Sequence, residues 1–493
     1  MRLLVLVILL PVLATSRIIH GDIKSNEIKE DECNLPEALK QEIRSYETVA
    51  NTIINSLVNG KYKGGTYKEL AKFVDTFGAR VSGTENLEDA IDYALDLMKD
   101  YELENVHGEE AQVPHWVRNH EIGELVSPRK ASLPVLGLGS SVSTPEEGIE
   151  AEVIVVNTFD ELRSENVSRE VKGKIVVYNE EYVSYGETVQ YRSQGASEAS
   201  RLGAVASLIG SVTPFSMSTL HTGWQDYDDG VTPIPTACIT KEDARLLQRY
   251  QDRGEKIVVK LNLSYTRFSD STSRNSVGEI EGNTDPKKVV LVSGHLDSWD
   301  VGVGAMDDGG GAFISWYALA VLKGLGLRAK RTLRAVLWTA EEPGLVGWAE
   351  YNRTHFEELS NFTFVMESDE GTFTPLGIEY AAGAEGGCII QEIVNLLAPI
   401  NATQAVASKG GVGSDISSWT SHLIPGASLL NANEKYFWFH HTQADRMEVL
   451  DPDDLDRATA LWAVVSYIIA DLTEDFPRTR DNAQSNIVNV VPA

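Results

Sequence analysis

Beyond about residue 270 the chain alternates between near-continuous apolar runs and helix-length stretches, and this alternation limits the fold more than any other feature. The apolar runs are KKVVLVSG, RTLRAVLWTA, NFTFVMESD and PGASLL; among them and after them come GGAFISWYALAVLKGLG, GCIIQEIVNLLAPI and LDRATALWAVVSYIIADL. A strand apolar on both sides must be covered on both sides. Strand–helix alternation of this kind predicts an α/β fold whose central sheet carries helices on both faces.

Upstream, the texture differs. Residues 46–125 read as largely helical, from SYETVANTIINSLVNG and NLEDAIDYALDLMKDYEL, which place apolar residues at helical spacing. Residues 126–270 carry short β-branched runs, EAEVIVVN, GKIVVYN, AVASLIGS and KIVVKLNL, split by Gly, Pro and Asn, with one helical stretch, QGASEASRLG. This block reads as a separate β-rich unit inserted between 46–125 and 271–476. Residues 17–45 read as a propeptide or an N-terminal arm, and 477–493 as a flexible tail.

The first sixteen residues, MRLLVLVILLPVLATS, have the basic start, short apolar core and small residues of a secretory leader. Behind it stand five Asn-x-Ser/Thr sequons, at Asn166, Asn262, Asn352, Asn361 and Asn401, so N-glycans are expected on some of them. A secreted or lysosomal protein with no membrane span is expected. The net charge of −29 argues against nucleic acid as a partner. Three widely spaced cysteines make neither a disulfide scaffold nor a thiolate metal site, and at least one thiol must be left over.

In sheets of this class, sites gather beyond the carboxyl ends of the strands. Here those ends carry polar groups of one kind: His295 and Asp297 in GHLDSWD, Asp307 and Asp308 in GAMDDGGG, Glu341 and Glu342 after VLWTA, Asp369 after FVMES, and His440 and His441 after YFWF. Taken singly each has a bland explanation. Glu-Glu is ordinary solvated surface, Asp-Asp-Gly-Gly-Gly is a turn, and a lone His is a structural group. Taken together, imidazoles and carboxylates at successive strand ends suit zinc, or less specifically manganese, iron or cobalt. A carboxylate shared by two ligand sets would describe a two-metal site.

The order His-x-Asp, Gly-x-x-Asp-Asp, Glu-Glu-x-Gly, Asp, His resembles that of the co-catalytic zinc exopeptidases, which include the bacterial leucyl aminopeptidases and glutamate carboxypeptidase. Longer stretches, VVLVSGHLDSWDVGVGAMDDGGGAFISW, KRTLRAVLWTAEE, FVMESDEGTF and KYFWFHHTQAD, are similar to a carboxypeptidase branch of that family, and the similarity runs from about 40 to 476. It implies a mixed central sheet with a protease-associated insert, two Zn2+ per chain, a small peptide substrate and a homodimer. By position, His295 and Asp369 would hold one zinc, Glu342 and His441 the other, and Asp307 would lie between them. Glu341 would be the general base, Asp297 would orient His295, and Asp308 would follow Asp307 through a strained peptide bond. Either histidine of the pair could be the ligand; His441 fits better, because the family's ligand precedes a small polar residue, here Thr442. His440 stands where relatives often carry a tyrosine that steadies the oxyanion, or else is a satisfied core histidine among Phe437, Trp438 and Phe439.

The resemblance implies hydrolysis of small peptides, above all unblocked dipeptides; an aminopeptidase acting on longer peptides is the alternative. A related fold that has lost its site and works as a binding module is the non-enzymatic reading, and the full set of ligands and base argues against it. Asp300, Glu370 and Asp415 are candidates to hold a free α-amino group, and Gly410–Ser414 to receive a carboxylate. The insert should hold no metal ligand and should limit access to the site; His221 is its lone histidine.

Overall fold

The computed structural model describes residues 33–422 and 424–478; the expected leader, most of the 17–45 stretch and the tail from 479 lie outside them. Two eight-stranded sheets organise the described chain. The first runs, in spatial order, Glu104–Val113, Ser271–Ile280, Arg331–Trp338, Asp285–His295, Phe362–Glu367, Gly426–Asn431, Pro375–Ala381 and Gln404–Ala407. Its four middle strands, from Arg331–Trp338 to Gly426–Asn431, are parallel neighbours, and antiparallel pairs flank them, so the sheet is mixed.

Both faces are covered, as the apolar runs require. Along Asp285–His295, Val290 and Val292 point into a large core built with the helices Glu47–Val58, Gly65–Phe77, Gly310–Gly324 and Pro452–Asp471. Val289 and Leu291 point the other way, onto Trp348, Tyr351 and Trp419. That is the period-two alternation of a strand with two buried faces. The helix Gly310–Gly324 lies so close to the strand ends that a Cβ on Gly311 would fall 1.8 Å from the Ser368 carbonyl oxygen, which is why glycine stands there.

The second sheet runs Ala131–Ser132, Trp116–Ser127, Val258–Arg267, Ile149–Val156, Ile175–Tyr178, Ala206–Gly210, Thr236–Ile239 and Val135–Gly137. It begins at Trp116, ahead of the change of texture near 126. The stretch read as helical through 125 ends its helices at Asp100, and Glu104–Val113 is an edge strand of the first sheet. That strand is half-exposed and polar, so its sequence lacks the apolar signature of the inner strands. The two sheets are fastened by Arg118, whose guanidinium meets both oxygens of Asp300, at 2.7 and 3.0 Å, and Glu121 at 2.7 Å.

Of the 17–45 stretch, the described part carries the helix Glu37–Ser45, and Cys33 is disulfide-bonded to Cys388, 355 positions away. Cys238 is the thiol left over, buried in the second sheet. Among the described residues no helix is long and apolar enough to cross a membrane.

Candidate metal centre

The strand ends and adjoining loops of the first sheet bring the expected residues to one place, with one correction: YFWF is not a strand, and His440 and His441 follow the short helix Tyr436–Phe439, whose aromatic run packs as a helical turn. His295 closes its strand with Nε2 3.3 Å from Asp307 Oδ1 and 3.3 Å from Asp369 Oδ1. His441 puts Nε2 3.3 Å from Asp307 Oδ2 and 3.0 Å from Glu342 Oε2. Asp307 therefore turns one oxygen to each histidine and stands between two ligand sets. Both rings are set from behind: His295 Nδ1 lies 3.0 Å from the Asp297 carbonyl oxygen, and His441 Nδ1 lies 3.0 Å from that of Thr222. Each Nδ1–H donates to a carbonyl, which fixes the ring and turns Nε2 toward the carboxylates.

Asp297 meets the His295 ring through its backbone oxygen; its carboxylate lies 3.6 Å from that ring, too far for a good hydrogen bond. That carboxylate accepts instead from the backbone N–H groups of Glu341 at 3.0 Å and Glu342 at 3.2 Å. One aspartate thus sets both the first histidine and the paired glutamates. The strand ends in a sharp turn at Ala340, whose left-handed φ of 53° suits a small side chain. Beyond it Glu342 reaches His441 and Glu341 lines the cavity in front of the cluster.

Two supports had no place in the sequence reading. Asp445 accepts three backbone N–H groups, from Ala305, Met306 and Asp307, at 3.0, 2.7 and 3.1 Å, and so holds the Asp307 segment. It lies in the HHTQAD run, so its proximity to the histidines was a usable signal. Arg80 is fully buried and donates to the carbonyls of Leu296, Gly78, Val303 and Gly304, pinning the loop that follows His295. Nothing in its local sequence marks it. Asp308 follows Asp307 across a cis peptide bond and accepts from the backbone N–H groups of His295 and Gly311, at 3.1 and 3.0 Å.

The donor set fits divalent metal. His295 Nε2, Asp307 Oδ2, Glu342 Oε1 and Asp369 Oδ1 are buried without a hydrogen-bond partner, a costly state unless a cation takes their lone pairs. Groups of one ligand atom each from His295, Asp307 and Glu342, from His295, Asp308 and Asp369, and from Asp307, His440 and His441 all lie within 4.8 Å of one another. The electrostatics say the same. Burial opposes charge on His295, but Asp369, Asp297 and Asp307 outweigh it and hold its pKa well above the usual value. Burial, with Asp369 and Glu342 and against the pull of His295, pushes Glu341 well up.

His440 stacks face to face on His441, ring centres 3.6 Å apart and planes 18° apart, with Nε2 3.7 Å from Asp307 Oδ2. Burial first, then His441, holds its pKa well below the usual value. It also meets Tyr185, Tyr436 and Phe437, so it lies in the cluster and in an aromatic nest together.

A cavity of about 610 Å³ opens over these groups. The first sheet supplies Asp307, Glu341, Glu342, Asp369, His440 and His441; the region of the second sheet supplies Tyr185, Arg192, Trp224 and Asp226. Of the candidates for an α-amino group, Glu370 lines this cavity and accepts from Asn433 Nδ2 at 2.8 Å. Asp300 is committed to Arg118, and Asp415 is fully buried with both oxygens unpartnered, away from the cavity wall. Gly411, Val412, Gly413 and Ser414 line the cavity, and Ser414 Oγ donates to Asp369.

Residues 275–466 match the model of Peptidase family M28. Carboxypeptidase Q of Homo sapiens is 52% identical over 443 residues, which cover 90% of this chain and 93% of that protein. The Xenopus laevis carboxypeptidase Q is 54% identical over 442 residues, with the same coverage.

The chain belongs to peptidase family M28.

Among solved M28 structures, the peptidase M28 precursor of Shewanella amazonensis SB2B superposes with a TM-score of 0.83 at 29% identity, over 88% of this chain and 99% of that one. The zinc aminopeptidase BSAP of Bacillus subtilis shares the fold, with a TM-score of 0.63 at 20% identity over 85% of this chain and 99% of that one. The M28 match spans every strand end that carries a histidine or carboxylate of the cluster.

Proposed function

We propose that this protein is a two-zinc exopeptidase that hydrolyses small peptides, chiefly unblocked dipeptides. The observation that carries the reading is the buried cluster in which Asp307 turns one oxygen to His295 and the other to His441, each histidine beside a further carboxylate. His295 and Asp369 would hold one ion, His441 and Glu342 the other, and Asp307 would serve both. Bound zinc would supply Lewis acidity toward the scissile carbonyl and the attacking water.

The chain's own residues do the rest. Glu341, on the cavity wall, takes the proton of the attacking water on its carboxylate and returns it to the leaving amine. The Asp297 carboxylate keeps its backbone in place through the Glu341 and Glu342 N–H groups. His440, packed on His441 at the cavity, is placed to donate to the oxyanion that develops on the substrate.

The cavity's volume of about 610 Å³ suits a small ligand. It carries both Arg192 and the acids Glu370 and Glu379, groups of the two signs that a zwitterionic dipeptide requires. The same reading places the protein on the secretory route as an N-glycosylated homodimer, secreted or lysosomal, in keeping with its leader-like start, its sequons and its carboxypeptidase Q relatives.

The test compares one dipeptide with its N-acetyl and C-amide forms and with a hexapeptide of the same N-terminus, using zinc-loaded protein. Rapid turnover of the free dipeptide alone is expected. Efficient cleavage of the hexapeptide or the amide would mean an aminopeptidase. No hydrolysis of any of them by protein holding two zinc ions would remove the enzymatic reading.

A further inference from the structure

The loop that follows Ala206–Gly210 in the second sheet reaches across the molecule and bonds to the segment carrying His440 and His441. His221 Nδ1 lies 2.8 Å from the His440 carbonyl oxygen. The backbone N–H of Thr222 donates to the His441 carbonyl at 3.1 Å, while His441 Nδ1 donates to the Thr222 carbonyl at 3.0 Å. Further along, Thr213 Oγ1 lies 2.7 Å from the Phe437 carbonyl oxygen, and Phe215 stacks on Trp438 at 4.2 Å. His221 is 2% exposed and Thr222 fully buried, so these bonds are shielded from water.

What they hold is an unfavourable turn. His441 has a left-handed φ of 59°. A non-glycine residue is strained there and persists only where its surroundings over-determine it. The two consecutive carbonyls at this turn, of His440 and His441, are both taken by His221 and Thr222. The ring orientation is fixed by the same pair, through the Thr222 carbonyl. Arg192 Nη1 also approaches that carbonyl, at 3.4 Å, and so stands behind the ring.

We propose that His221 and Thr222, with Thr213 as a second strap, are positioning residues of the metal centre: the second sheet supplies no ligand, yet fixes the backbone turn and tautomer that make His441 one. This rests on the reading of His441 as a ligand. His221 acts as a neutral donor, Nδ1–H to the His440 carbonyl, with Nε2 3.2 Å from Thr219 Oγ1. The Thr222 carbonyl, hydrogen-bonded to the ligand ring, is a partner whose disturbance typically changes metal affinity by roughly tenfold to a hundredfold, and His221 acts on it through the backbone turn.

The experiment measures zinc binding to the full chain in chelator-buffered solutions for wild type, His221→Leu, His221→Asn and His441→Ala, with visible spectra of the cobalt-loaded forms. In His221→Leu one of the two metal equivalents should bind roughly tenfold to a hundredfold more weakly, and its cobalt band should shift, while the other is unchanged. His221→Asn, whose amide can still donate to the His440 carbonyl, should return toward wild type. Wild-type affinity for both metals in His221→Leu, while His441→Ala loses one, would overturn the proposal and leave the ligand reading intact. Retention of both metals by His441→Ala would instead remove the ligand reading itself. Should His221→Leu not fold, Thr213→Val is read the same way: weaker binding of one metal supports the strap, and unchanged binding overturns it.

Discussion

Each sheet buries carboxylates near its strand ends, and the two regions deal with them differently. In the second sheet Glu180 follows the strand Ile175–Tyr178 and is 2% exposed. Both its side-chain oxygens lack a hydrogen-bond partner, but a buried lysine stands beside them: Lys241 Nζ lies 3.7 Å from Oε1 and donates to the Glu180 carbonyl. Even so, burial pushes Glu180 up to about 8. In the first sheet Asp307, Glu342 and Asp369 each keep a buried oxygen without a partner. Among the described residues their only ion-pair neighbours are His295, His440 and His441. One region carries its own cation, and the other is built around an excess of lone pairs. An excess of that size calls for cations from outside the chain.

The largest expected effect separates base from ligand within that excess. Glu341→Gln should slow turnover of a good dipeptide roughly a hundredfold to ten-thousandfold with two zinc ions still bound, as read by metal analysis on the assayed sample. Loss of metal together with activity would move Glu341 among the ligands, and near-normal turnover would assign the base elsewhere. Next come the stacked histidines. His441→Ala should lose one zinc, whereas His440→Ala should keep both and slow turnover by roughly a hundredfold, the worth of one oxyanion donor. The reverse metal contents would exchange the two roles.

A third substitution probes the other region. Lys241→Met removes the cation beside the Glu180 carboxylate and the donor to the Glu180 carbonyl, and a buried acceptor left unsatisfied costs about 1–3 kcal/mol. Thermal melting should show that loss while both zinc ions remain. If Lys241→Met released zinc instead, the two regions would not be electrostatically independent.

Part of the candidate site was legible because His295, Glu341, Glu342 and Asp369 end or closely follow strands with strong apolar patterns. Those runs mark a sheet covered on both faces, and the topology then gathers whatever follows them. His440 and His441 instead follow a helical turn that YFWF disguises as a strand. The supports were less legible, for physical reasons. Arg80 bonds only to carbonyls, which any sequence provides. His221 and Thr222 act through backbone groups of a segment more than 200 positions away. Asp297 meets the His295 ring by its carbonyl rather than by its side chain. The strands Glu104–Val113 and Trp116–Ser127 went unread, since half-exposed strands carry polar residues that blur the period-two signal. Asp300 looked like a free carboxylate beside the site, and only the fold reveals Arg118 against it.

The smallest effect concerns the sequons, which are divided between the two regions. Asn166, in the second region, and Asn401, in the first, are exposed and able to carry a glycan. Asn352 lies in the first region on the helix Val346–Thr354, is 8% exposed, and accepts from Trp419 Nε1 at 2.7 Å. A glycan on its Nδ2 would have to emerge through the packing of Trp348, Tyr351 and Trp419. Peptide mapping of protein from a secreting eukaryotic host should therefore find Asn166 and Asn401 modified and Asn352 bare. Asn352→Asp keeps an acceptor for Trp419, whereas Asn352→Ala removes it and should cost about 1 kcal/mol, the net worth of one hydrogen bond. A glycan found on Asn352 of folded, active protein would show that the face of the first sheet beneath Trp419 opens far enough to admit it.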